Sequence, residues 1–251
     1  EKPVRLSPRS FWSGPVAWLD RIGFLELVPY GAILLLIVIL MKMEPHMSGT
    51  ILILAGAAAV LFAAGIKLYW FLGGGALLAG RVLLLMSGYQ STRILVWQDP
   101  WAYPQDGGWQ IIQSLYAIGS GGLLGLGLGK SRQKFLYLPE PENDFIFAIV
   151  CEELGLIGAA VILILFALLV IRGYWIAIHA RDRFGALLVV GITTLTAVQV
   201  FLNIAVVTNL IPTTGISLPF FSYGGTALMI QLAEMGVVLS VSRQIPPTKQ
   251  E

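Results

Sequence analysis

Five carboxylates and four cations are gathered between positions 88 and 144 of this 251-residue chain. The carboxylates are Asp99, Asp106, Glu140, Glu142 and Asp144, and the cations are Arg93, Lys130, Arg132 and Lys134. Such a set suits transfer chemistry on an anionic lipid substrate. Cations can hold and stabilise a phosphate leaving group, and a carboxylate can take the proton of an attacking hydroxyl. The same residues also read as ordinary loop charges, whose surface pairs are worth little. Other chemistries lack their residues. His46, His179 and the single Cys151 give no metal-ligand spacing. There is no P-loop or dinucleotide fingerprint, and no basic run that would mark a nucleic-acid partner. Ser222 has no histidine close in sequence to activate it as a nucleophile.

The elements that must position these groups follow from the apolar runs. After Pro139-Glu140-Pro141-Glu142-Asn143-Asp144 the sequence turns apolar and stays so to about Ile171. That length crosses a bilayer, which needs ~20 apolar residues. Asp144 therefore stands where an aqueous loop meets a membrane helix, where it can cap the helix or act as a base. Glu152 and Glu153 lie two turns further in. Ionisable groups at such depth are costly and functional by default, and pairing with Arg81 or with a helix missing from this chain is expected of them ahead of a catalytic role.

The chain is 57% hydrophobic and 12% charged, with net charge +2 and mean hydropathy +0.80. Soluble domains carry about a quarter charged residues. The runs are continuous, which favours helices over a β-barrel. The expected fold is an all-α polytopic membrane protein, a single membrane domain over 1–251. Six spans are expected, at about 24–43, 49–66, 68–87, 145–171, 184–209 and 226–242. Residues 1–23, with two tryptophans among prolines and basic residues, read as an interfacial segment. The lone Cys151 reads as packing. The chain begins at Glu1 with no signal-peptide pattern, and reads as part of a longer protein.

Six spans put both termini on one side. Most Lys and Arg outside the long loop fall on that side, so the termini are expected to be cytoplasmic. The loop 88–144 is then outside. It is far longer than a structureless connection usually is, and its tryptophans and tyrosines argue for order. Residues 109–119 have the spacing of a short helix. From Gly121 to Gly129 glycine and leucine alternate, either as backbone passing close to a ligand or helix, or as a packed apolar turn. Gln199 and Asn203 share a helix face and suit interhelical hydrogen bonds.

Four separated elements together resemble the SEDS family, the FtsW/RodA/SpoVE proteins of bacterial cell-wall synthesis. They are Glu44–Thr50, Asp99-Pro100-Trp101, the stretch from Gln133-Lys134 through Asp144-Phe145-Ile146-Phe147 to Glu152-Glu153-Leu154-Gly155, and Pro212–Gly225. Family members have ten transmembrane helices, and the resemblance makes this chain the last six of them, with a large structured extracellular catalytic loop. It implies an inverting glycosyltransferase of the plasma membrane that polymerises lipid II, working beside a class B penicillin-binding protein and other division or elongation membrane proteins. Asp144 matches the family's proposed catalytic aspartate. Arg93 and Lys134 are the implied holders of the diphosphate. Glu140, Gln133, Lys130 and Ser222 complete the substrate-binding set, and Arg132 is a further cation beside them. A divalent cation, Mg or Mn, is compatible with this chemistry, and no organic cofactor is implied. Many members have His-Thr where this chain has Glu142-Asn143, and Asp where it has His46. Two other readings stay open: a lipid II flippase, and a non-catalytic scaffold.

Overall fold

The computed structural model describes residues 24–43, 47–67, 69–71, 73, 88–135, 137–139 and 142–245. Among them there are helices, turns and loops, and no strand. The expected third span at 68–87, with Arg81, lies almost wholly outside the described residues. So do residues 1–23, Glu44-Pro45-His46 and Glu140.

The chain divides into two compact units, residues 1–50 and 51–251. In the first, helix α1 (Phe24–Met43) matches its expected span and carries Pro29 near its start. Its Ile33, Leu36, Ile39 and Leu40 side chains are exposed, as on a helix suited to apolar surroundings. Helix α2 (Met47–Ala63) lies mostly in the second unit. There follow α3 (Gly88–Gln98), a 3-10 turn at Pro104–Asp106, α4 (Gly108–Gly121), α5 (Ile146–His179), α6 (Arg183–Val207) and α7 (Gly225–Ser242). Of these, α5, α6 and α7 are long and apolar enough to cross a membrane.

Small residues bring the helices together. A Cβ on Gly56 of α2 would strike Leu195 of α6, and one on Gly173 of α5 would strike Thr193. Close backbone approach is the usual basis of helix packing in lipid. Two apolar cores result. At one end Phe145, Phe147, Ala148 and Cys151 pack with Ala117 of α4, Val206 and Val207 of α6, and Leu218. At the other, Ile176 and Ala177 of α5 meet Val189 and Ile192 of α6 and Val238 and Val241 of α7.

The segment 88–144 is built rather than irregular. Helix α4 appears where the spacing predicts it, two residues longer at its C-terminal end. Helix α3 is a difference from expectation: its polar sequence, Gly-Tyr-Gln-Ser-Thr-Arg, carries no apolar stripe to announce it.

The central feature is a break in α5. Its 34 residues would run ~51 Å as an unbroken helix, well beyond a ~30 Å hydrocarbon core. At Gly155 the backbone turns to φ 66°, ψ −171°, a combination open essentially to glycine alone. An intact helix would bond Leu156 N–H to the Glu152 carbonyl and Ile157 N–H to the Glu153 carbonyl. Here Leu156 N–H donates to the Gly122 carbonyl (2.9 Å) and Ile157 N–H to that of Leu123 (3.2 Å). The freed Glu152 and Glu153 carbonyls accept from Leu126 (2.9 Å) and Gly127 (3.0 Å). The loop after α4 thus inserts into the helix and replaces the bonds that the break removes, leaving no buried backbone group of this set unpaired. Glycine is required on both sides: a Cβ on Gly155 would overlap the Gly125 nitrogen, and one on Gly121 the Cys151 carbonyl. The alternating run is backbone passing close to a neighbouring helix, with Leu124 and Leu128 left pointing outward.

Candidate active site

Asp144 lies one residue ahead of the cap of α5. The cap is Phe145, which has no side-chain capping bond. What holds Asp144 is the segment between α6 and α7. Asn203, buried on α6, donates both to the Asp144 carbonyl (2.8 Å) and to that of Ile216 (2.7 Å). Ser222 Oγ donates to the Asn143 carbonyl (2.7 Å) and accepts from Leu218 N–H (2.7 Å). Tyr223 N–H donates to the Glu142 carbonyl (2.8 Å). Three successive residues, 142 to 144, are therefore fixed through their carbonyls, so the half-buried Asp144 side chain stands on a rigid frame. Gly215, at φ 71°, passes so close that a Cβ there would sit 3.4 Å from Asp144 Oδ2.

Arg93 reaches the same segment. Its Nη1 donates to the Thr213 carbonyl (3.0 Å), two residues from Gly215. One turn along α3, Trp97 and Asn209 exchange bonds: Trp97 Nε1 donates to the Asn209 carbonyl (3.0 Å), and Asn209 Nδ2 to that of Trp97 (3.3 Å). Residues four apart share a helix face, so Arg93 and Trp97 dock α3 on the loop that frames Asp144. Asp99, by contrast, accepts from Ala102 N–H (3.2 Å) and shapes a turn.

A second polar group forms where the loop crosses α5. Glu152 is 1% exposed. Its carboxylate accepts from Ser131 Oγ, from Arg132 N–H (3.0 Å) and from Gln133 N–H (3.4 Å). Glu153 accepts from Gly129 N–H (2.9 Å), Ser131 N–H (3.3 Å) and Lys134 Nζ (2.8 Å). The expected partner Arg81 lies outside the described residues; the partners seen here come from the loop, four backbone N–H groups together with Ser131 Oγ and the Lys134 ammonium, and they compensate the two costly carboxylates. The sequence hid most of this because four of the six donors belong to the backbone.

The expected site residues therefore fall into two groups. Asp144, Arg93 and Ser222 gather on the 209–225 segment. Lys130, Gln133 and Lys134 gather with Arg132 on the cradle of Glu152 and Glu153. Lys134 is already ion-paired to Glu153. Ser222, expected in the substrate-binding set, spends its hydroxyl inside the fold. Glu140 is outside the described residues. Sequence reading missed three structural partners of the site: Asn203 as the bracket of Asp144, Gly215 against its carboxylate, and the Trp97–Asn209 pair. Asn209 and Gly215 both adopt positive φ, and residue types that tolerate it, so close to Pro212, were the available signal. Among the described residues no three His, Cys, Asp or Glu side chains gather to hold a metal ion.

The frame around Asp144 joins two of the four stretches that resemble SEDS proteins, with Asn203 of α6 bridging them, and comparison with known proteins agrees. The FtsW/RodA/SpoVE family model, described as a cell cycle protein, matches residues 21–246. The chain belongs to this family. It is 52% identical over 198 residues to stage V sporulation protein E of Bacillus subtilis strain 168, covering 78% of this chain and 54% of that protein. It is 44% identical over 219 residues to a probable peptidoglycan glycosyltransferase FtsW of Geobacter sp. strain M18, covering 86% and 60%. Among solved structures, a chain of a peptidoglycan synthase complex that coordinates polymerisation and crosslinking superposes with TM-score 0.69 at 31% identity, over 88% of this chain and 62% of that one. The rod shape determining protein RodA of Thermus thermophilus superposes with TM-score 0.52 at 26% identity, over 99% and 60%. The chain thus spans a little over half to about three fifths of the length of these relatives.

Proposed function

We propose that this chain forms the catalytic face of a peptidoglycan glycosyltransferase that polymerises lipid II. The observation that carries the reading is the frame around Asp144. Its carboxylate stands at the head of a membrane helix, with its backbone and those of the two residues before it bonded to the 203–223 region. In the reaction, Asp144 takes the proton of a sugar hydroxyl on the acceptor lipid II. That oxygen forms the new bond to the anomeric carbon of the donor chain, on the face opposite the leaving group. The carbon–oxygen bond to undecaprenyl diphosphate breaks, and its electron pair leaves with the diphosphate. Arg93 and Lys134 stabilise that charge. If a divalent cation takes part, the diphosphate itself supplies ligands for it.

The same reading places six spans in this chain, with the segment 88–144 outside the plasma membrane and both termini in the cytoplasm. A class B penicillin-binding protein is the expected partner, as the likeness to a chain of a synthase complex supports. The flippase reading needs polar groups free along the spans. Glu152 and Glu153 are committed to the loop, which weighs against it.

The test is polymerisation of fluorescent lipid II by the full-length parent with its partner, beside Asp144→Asn at matched expression. A general base contributes ~100-fold or more, so the variant should lose at least that much. Equal product from both would sink the base assignment.

A further inference from the structure

A cavity of about 480 Å³ opens beside the cradle, lined by Leu115, Tyr116, Gly119 and Ser120 of α4, by Leu126, Arg132 and Gln133 of the loop, and by Glu152 of α5. None of the Asp144 frame lines it. Its polar walls are rich in acceptors. Gln133 Oε1 is buried, and no described residue donates to it. The Glu152 carboxylate offers about four lone-pair sites and three are in use. Ser120 Oγ donates to the Ala117 carbonyl (3.0 Å) and so presents an acceptor. Against these stands one cation: the Arg132 guanidinium is exposed and bonds to no described residue. The Tyr116 ring is 53% exposed and supplies a flat apolar wall.

Acceptor-rich walls with a single cation suit a ligand rich in hydroxyl or amide donors that carries one anionic group. A diphosphate fits poorly, since it brings only acceptors and negative charge against a carboxylate. A sugar carrying a carboxylate fits: its hydroxyls and amides meet Ser120 and the accessible part of Gln133, its apolar face lies on Tyr116, and its carboxylate meets Arg132. We propose that this cavity is a saccharide subsite that holds the disaccharide-peptide headgroup of a bound lipid-linked substrate. The proposal rests on the glycosyltransferase reading for the identity of the ligand. Counted along α5, Glu152 lies eight residues from Asp144, ~12 Å at helical rise, so a chain anchored in the cavity can reach the base.

The test is binding of the soluble disaccharide-pentapeptide, freed of lipid and phosphate, to the full-length parent in nanodiscs, read by saturation-transfer NMR and titration. Arg132→Gln, Gln133→Leu and Tyr116→Ala should each weaken binding by about tenfold, with melting temperatures checked to match the parent. Undiminished binding in all three cavity variants overturns the proposal. So does displacement of the headgroup by inorganic diphosphate, and so does absence of binding to the folded parent at millimolar ligand. The two failures are distinguishable: full polymerisation by Asp144→Asn would remove the base, whereas the binding titration reads the cavity without any turnover.

Discussion

Asp144 is held through its backbone, and its neighbours are chosen for what they leave clear. Gly215 makes this concrete. Its φ of 71° is a left-handed conformation, and a methyl group there would touch the carboxylate. Gly215→Ala should lower stability by about 1 kcal/mol and reduce polymerisation at matched expression more than that loss explains. A melting curve and an activity assay on the same preparation separate the two effects. The Glu153–Lys134 pair offers a second comparison. Removing the carboxylate strands two backbone donors as well as the ammonium, so Glu153→Ala should cost about 1–3 kcal/mol. Lys134→Ala leaves those backbone bonds in place and should cost under about 1 kcal/mol. Equal shifts in melting temperature for the two variants would mean that the backbone donors contribute nothing.

Among the elements, the break in α5 is the one that most depends on a single residue. Gly155→Ala meets a glycine-only backbone conformation and a steric overlap with Gly125. It should cost at least about 2 kcal/mol and expose the segment after α4 to proteolysis. An unchanged digestion pattern would argue against the inserted loop. This is also where sequence reading stopped short. The ends of α1 and α7 and the place of Asp144 at the head of a helix were legible, because apolar runs and their polar borders mark them. The break was not, since apolar residues continue straight through Gly155 and a helical glycine looks the same in sequence. Nor were the partners of Glu152 and Glu153, since hydrogen bonds to backbone leave no residue type behind. Helix α3 was missed for the opposite reason: it docks through Arg93 and Trp97 and carries no stripe.

For the whole molecule the testable matter is sidedness. In a background free of other cysteines, Tyr223→Cys lies on an exposed position beside the Asp144 frame. Arg181→Cys lies at the far end of the bundle, in the turn between α5 and α6. A membrane-impermeant maleimide should label the first in intact cells, and the second only after permeabilisation. The reverse pattern would invert the expected topology and remove Asp144 from the face where cell-wall polymer is made.

The inserted loop has one more consequence. Four hydrogen bonds near the start of α5 are not the helix's own, because each has its other end in residues 122 to 127. The loop therefore cannot come away without unlatching the helix, and the helix cannot straighten without expelling the loop. Opening of either is a single event, and it is what frees the Leu156 and Ile157 N–H groups. The loop that leads to the cations at 130 to 134 and the helix that Asp144 leads into thus share one latch.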